Sequence, residues 1–212
     1  MTLALLHTSP VHVPVFDALR DADHPGTVLR HVVREELLAG AAALGPDAVA
    51  DEVEALVAEL AAEGAGAVLC TCSTIGAVAE SAGVAVGVPV LRVDRPMAAA
   101  AVRAGRVTVL ATLASTLAPT RALLTEEAAA AGLPGADVRT VLVEGAWERF
   151  VADDQGGSLD LVAAAADAVT DADVIVLAQG SMAGAADRTT TDIPVLSSPR
   201  PGLAAAVAAS EG

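Results

Sequence analysis

The sequence predicts an α/β fold, with parallel strands covered by helices on both faces and two similar halves. Short Val/Leu/Ile-rich runs alternate with long alanine-rich stretches of helical character. Those short runs are continuously apolar rather than alternating, the pattern of strands buried on both faces of a parallel sheet. The chain also repeats itself. Ala67-Val68-Leu69-Cys70-Thr71-Cys72-Ser73-Thr74 matches Val174-Ile175-Val176-Leu177-Ala178-Gln179-Gly180-Ser181. Val88-Pro89-Val90-Leu91 matches Ile193-Pro194-Val195-Leu196. Arg95-Pro96 and Arg200-Pro201 follow, each leading an alanine-rich run that ends in a valine, Val102 or Val207. In this register Cys72 falls opposite Gln179. A cysteine in only one of two equivalent loops suggests an active site between the halves, with one catalytic group lost or replaced.

The elements can be justified in order. Residues 3–6 read as the first strand, running into the polar loop His7-Thr8-Ser9-Pro10. Residues 48–63 form an amphipathic helix, started by Gly45-Pro46-Asp47 and stopped by Gly64. Strands follow at 67–70 and 88–91. The strand at 107–111 opens the second half, because Leu3-Ala4-Leu5-Leu6-His7-Thr8 matches Val107-Thr108-Val109-Leu110-Ala111-Thr112. A helix over 121–131 ends at Gly132, ahead of Pro134. Then come a strand at 138–143, a helix at 159–169, strands at 174–178 and 193–196, and a terminal helix after Pro201. Strand–helix–strand repetition implies right-handed crossovers and a doubly wound sheet. The first half is expected to cover 1–100 and the second 101–200, with the boundary near 96–105. The terminal helix, 201–212, is expected to pack back on the first half.

Composition narrows the function. The 212 residues suffice for one large domain or two small ones. Hydrophobic residues make up 54 %, mostly alanine and valine, which favours close helix-on-sheet packing. The net charge of −15 argues against nucleic acid and anionic membrane surfaces as partners. No apolar run reaches the roughly 18–20 residues that span a bilayer. The first six residues lack the basic start of a signal peptide, so a cytoplasmic protein is expected. Cys70 and Cys72 lie too close in a strand end to bridge each other and read as free thiols.

Chemistry in an open α/β sheet sits beyond the carboxyl ends of the strands. The loops there are His7-Thr8-Ser9, Cys72-Ser73-Thr74, residues 112–116 and Gln179-Gly180-Ser181. They are rich in hydroxyls and carry no Lys or Arg. Hydroxyls and free N–H groups at helix starts can hold a carboxylate, although plain helix capping explains many such residues equally well. Ser115-Thr116 precede a helix that begins near Pro119. Cys72 at the mouth of a helix is expected to ionise more readily and to serve as base or nucleophile. Cys70 suits a small buried residue. His7 ends the first strand, where function concentrates, and is a candidate for touching substrate. Cys-x-Cys is not a redox or zinc motif, and His7 and His12 show no metal spacing. No glycine-rich phosphate motif follows the first strand. Trp147 reads as packing or subunit contact.

These residues resemble the aspartate/glutamate racemase superfamily, over nearly the whole chain. That group includes glutamate, aspartate and hydantoin racemases, maleate isomerase and arylmalonate decarboxylase. Cys72-Ser73-Thr74 looks like the family's Cys-Asn-Thr, with Cys72 as the catalytic cysteine. Residues 107–116, reading VTVLATLAST, look like the second-half strand with its Ala-Thr-x-x-Thr carboxylate loop. Residues 174–182 look like the segment that normally carries a second cysteine. The resemblance implies two flavodoxin-like halves about a pseudo-twofold axis, substrate in the cleft between them, and neither metal nor organic cofactor. Two departures stand out: Gln179 replaces the second cysteine, and His7 stands near where many members have an aspartate. A glutamine amide is no proton carrier near neutral pH.

The expected activity is that of a racemase- or epimerase-type isomerase. Cys72 would move a proton at the carbon next to a carboxylate or carbonyl of a small molecule. Thr8, Ser73, Thr74, Thr112, Ser115 and Thr116 would hold the carboxylate, with His7, Gln179, Gly180 and Ser181 also lining the substrate. The alternatives are a one-face decarboxylase or lyase and a non-catalytic small-molecule binder. The lack of a loop cation argues against a second carboxylate as in glutamate, unless Arg92, Arg95 or Arg188 folds inward. A homodimer is the default expectation.

Overall fold

A computed structural model describes residues 2–133 and 135–211. Pro134 and the two terminal residues, read above as part of a helix stop, a first segment and a last helix, lie outside them. In chain order the first elements are β1 (Thr2–His7), α1 (His12–Asp23), β2 (Val28–Val33), α2 (Glu35–Leu44), α3 (Ala50–Ala62), β3 (Ala65–Cys70), α4 (Gly76–Val86) and β4 (Val90–Arg92). Next come α5 (Arg95–Ala104), β5 (Val107–Ala111), α6 (Leu117–Ala130), β6 (Val138–Leu142), α7 (Ala146–Val151), α8 (Gln155–Asp167), β7 (Val174–Leu177), β8 (Val195–Ser197) and α9 (Pro199–Glu211). Short 3-10 turns occur at Pro46–Val49 and Ala114–Thr116, and a longer one at Gly180–Arg188.

The chain divides into two compact units, Met1–Asp94 with Pro199–Gly212, and Arg95–Ser198. Each holds a four-stranded, all-parallel sheet, ordered β2-β1-β3-β4 in one and β6-β5-β7-β8 in the other. The ladders repeat residue for residue. Leu6 pairs with Val32 and Cys70 in the first sheet, and Leu110 pairs with Val141 and Leu177 in the second. Even the last rung is duplicated: Thr71 N–H donates to Leu6 O, and Ala178 N–H to Leu110 O, each at 3.0 Å.

Successive strand residues serve opposite faces, so each sheet is double-sided. In the first unit Ala4, Leu6, Val68 and Cys70 pack under α2, α3 and α4. Leu3, Leu5, Ala67 and Leu69 pack against Phe16 of α1 and Leu203, Ala206 and Val207 of α9. In the second unit Val107, Val109, Val174 and Val176 pack under α5 and α6. Leu110, Ile175 and Leu177 face Ala146, the buried face of α8 and the Gly180–Arg188 turn. Here α5 takes the place that α9 takes in the first unit. Met97, Ala98, Ala101 and Val102 of α5 are all buried there, so the first division falls after Asp94 rather than near residue 100.

Several elements differ from the sequence reading. β2 was not expected. Its Val28-Leu29-Arg30-His31-Val32-Val33 is interrupted by two polar residues because it lies at a half-exposed sheet edge. The helix expected at 48–63 is a 3-10 turn followed by α3, and α6 starts at Leu117 rather than 121. α8 starts at Gln155, where Asp154 caps it by accepting from Gly157 N–H at 2.9 Å. β4 and β8 begin two residues later than the apolar runs suggested, after Pro89 and Pro194. Both prolines lack an N–H for a ladder, although their carbonyls accept from Val68 and Ile175.

Candidate active site

Parallel strands bring the loops after β1 and β3 side by side at the carboxyl edge of the first sheet. Cys70 closes β3 with no exposed surface, and its Sγ donates to the Cys72 carbonyl at 3.6 Å. Burial pushes its thiol well above the usual cysteine range, with Cys72 adding to the rise. Cys72 lies two residues further on, beyond the strand, and is 8 % exposed. Around it Thr8, Thr71, Ser73 and Thr74 are buried polar residues. The two cysteines are not bridged to each other.

A buried cation holds this loop from below. Arg92, at the end of β4, is 2 % exposed and grips the fully buried Asp94 with two bonds, Nε to Oδ1 at 2.7 Å and Nη2 to Oδ2 at 3.0 Å. Nη2 also donates to Ser73 O at 3.3 Å. A Cβ at position 76 would come 2.9 Å from Arg92 Nε, so Gly76 lets α4 start against the guanidinium. The sequence reading left Arg92, Arg95 and Arg188 as cations able to fold inward. Arg92 is committed to Asp94, Arg95 pairs with Glu126 and Glu127, and Arg188 pairs with Asp160.

His7 is buried rather than presented at the surface. Its Nδ1 lies 2.8 Å from Thr71 Oγ1, and its Nε2 lies 2.8 Å from His31 Nδ1. His31 Nε2 in turn lies 3.4 Å from Asp17 Oδ1, without hydrogen-bond geometry. Burial, with help from His31 and His12, lowers the His7 pKa to about 3, so His7 is neutral at pH 7. The neutral ring then runs in one of two directions. Either Thr71 O–H donates to His7, whose Nε2–H donates to His31, or the order reverses while Thr71 donates to Leu6 O at 3.2 Å. Asp17 and His31 escaped the sequence reading. The signal for His31 was β2 itself, whose register sets it beside Leu5 on the neighbouring strand.

In the second unit the loops after β5 and β7 are likewise adjacent. Gln179 Oε1 accepts from Thr112 N–H at 2.7 Å, from Thr112 Oγ1 at 3.0 Å and from Leu113 N–H at 3.3 Å. Thr116 is 2 % exposed, and Ser115 Oγ is buried without a hydrogen-bond partner. Gly180 and Ser181 are half-buried at the start of their 3-10 turn. The structure thus gathers His7, Thr8, Cys72, Ser73 and Thr74 at one sheet edge. It gathers Thr112, Ser115, Thr116, Gln179, Gly180 and Ser181 at the topologically equivalent edge of the other. Trp147 stacks on Phe150 at 5.4 Å.

A family model for Asp/Glu/Hydantoin racemase matches residues 13–208. The chain belongs to the Asp/Glu/hydantoin racemase family. No curated protein matches it. An aspartate racemase homologue from Pyrococcus horikoshii superposes with a TM-score of 0.72 at 12 % identity, covering 100 % of this chain and 99 % of that one. Allantoin racemase from Pseudomonas fluorescens gives 0.64 at 21 % identity, over 98 % and 90 %. Arylmalonate decarboxylase gives 0.60 at 20 % identity, over 100 % and 93 %. At such identities the structural likeness speaks for the racemase-family fold alone. Among the described residues of this family member, no helix is long and apolar enough to cross a membrane.

Proposed function

We propose that the chain is a cofactor-independent racemase- or epimerase-type isomerase acting on a small carboxylate or related carbonyl compound, with Cys72 as its proton carrier. The observation that carries this reading is the contrast between the two thiols. Both lie in one apolar cluster, but Cys70 has no exposed surface and is held protonated, whereas Cys72, 8 % exposed, stands beyond the strand end among buried hydroxyls. In the proposed step the Cys72 thiolate takes the proton from the carbon next to the carboxylate. The C–H electron pair moves onto the carboxylate as an enediolate, and hydroxyl and N–H donors stabilise the charge. The S–H bond then breaks as the proton returns to carbon. Return to the opposite face inverts the centre and requires a second proton donor.

The second reading is a decarboxylase, and Gln179 favours it. The residue topologically equivalent to the Cys72 position is an amide, which carries no proton near neutral pH. With one carrier, loss of carbon dioxide would leave the carbanion, and Cys72 S–H would protonate it on one face. Amino acids, hydantoin-type ureides and aryl malonates in heavy water form the test panel. Deuterium at the substrate α-carbon, abolished by Cys72→Ala, is expected. Carbon dioxide release with a single product enantiomer would select the decarboxylase. Full exchange in Cys72→Ala would end the reading.

A further inference from the structure

Gln179 holds an unusual position for an amide. Its Oε1 receives two consecutive backbone N–H groups and a hydroxyl, at 2.7, 3.3 and 3.0 Å. Those donors also settle the orientation of the carboxamide: its oxygen faces the loop and its NH2 group turns away. A neutral carbonyl oxygen has two lone pairs and is over-supplied by three donors. Donors converging in this way suit an anionic oxygen better, because bonds to a charged acceptor are shorter and about twice as strong. The loop they come from, 112–116, is the one read above as holding the substrate's carboxylate.

We propose that Gln179 is an internal stand-in for a carboxylate oxygen: it occupies the Thr112–Leu113 donors in the free chain, and a ligand carboxylate must displace it to bind. Gln179 is thereby a specificity residue. It admits acids whose remaining contacts outweigh the lost amide bonds and excludes weak, featureless ones. The inference rests on the reading of 112–116 as the carboxylate loop. A site closed most of the time by its own side chain binds with an affinity reduced by the open fraction. If the amide is seated nine-tenths of the time or more, removing it tightens binding by about tenfold or more.

The test uses the full chain, labelled with nitrogen-15, and titrates it with phenylacetate. In the native chain the Thr112 and Leu113 amides should shift together with the Gln179 side-chain NH2 pair, all with one midpoint. Gln179→Ala should move that midpoint about tenfold or more to lower acid concentration. Gln179→Glu, which seats a real carboxylate on the same donors, should abolish the shifts. Shifts at Thr112 and Leu113 with equal midpoints in the native chain and Gln179→Ala would overturn the stand-in and keep the carboxylate loop. No shift at either amide, in the native chain or in Gln179→Ala, would overturn both. The Gln179 NH2 signal in the native chain decides the matter even if the alanine variant folds poorly. If it stays fixed while the backbone amides shift, the side chain is not displaced.

Discussion

At the scale of single residues, small differences in place and exposure separate two buried thiols. Cys70 and Cys72 are two positions apart, yet only one reaches beyond the strand. We therefore expect alkylating reagents to modify Cys72 in the native chain and to leave Cys70 untouched until the chain unfolds. Peptide mass spectrometry after timed iodoacetamide treatment checks this. Faster labelling at Cys70 would contradict the placing of Cys72 as the more accessible of the two thiols. The histidines make a second case. Burial holds the His7 pKa at about 3 and the His12 pKa at about 4, against 6.5 when unfolded. The unfolded chain therefore takes up protons first as pH falls. Stability from these groups is complete above pH 6.5 and declines as pH drops towards 4. Each histidine contributes a slope of about 1.4 kcal/mol per pH unit within that window. Urea unfolding between pH 7 and 4.5 should show the decline, and His12→Gln should make it shallower. An unchanged slope in that variant would place the acid sensitivity elsewhere.

At the scale of elements, the chemistry hangs on how strands end. β4 delivers Arg92 beneath the Cys72–Thr74 loop, and Asp94 answers it with two bonds at 2.7 and 3.0 Å. Removing one member of a buried ion pair strands the other, a loss of about 3–5 kcal/mol. Arg92→Met should be destabilising by that order, measured by thermal or urea unfolding. It should also raise the alkylation rate of Cys72, because the loop loses the Arg92 bond to Ser73 O. A variant as stable as the parent would mean that Asp94 finds another partner. The element scale also explains what the apolar pattern missed. β2 escaped notice because an edge strand needs no continuous apolar run, and Arg30-His31 breaks it. β1, β3, β5 and β7 are inner strands, covered on both faces, and their apolar runs announced them.

At the scale of the whole molecule, two compact units share one strand order and one ladder register, and each is completed by a helix that follows the other's last strand. α9 seals the Leu3, Leu5 and Leu69 face of the first sheet with Leu203, Ala206 and Val207. Truncation after Ser198 should therefore loosen that unit selectively. Hydrogen exchange should speed up at β1 and β3 amides, while β5 and β7 amides keep their protection. Equal loss of protection in both units would show that they unfold as one. By itself, the sequence determined the α/β class, the duplication, the inner strands and the loops that carry Cys72 and Gln179. It could do so because strand burial and repeat matching are written in local residue order. Only the tertiary structure decided the partners: His31 and Asp17 behind His7, Asp94 under Arg92, and the Thr112 and Leu113 donors on Gln179. Except for Arg92 and Asp94, which lie two positions apart, those pairings join residues far apart in the chain. They depend on strand register, on burial and on side-chain direction, none of which a linear pattern encodes.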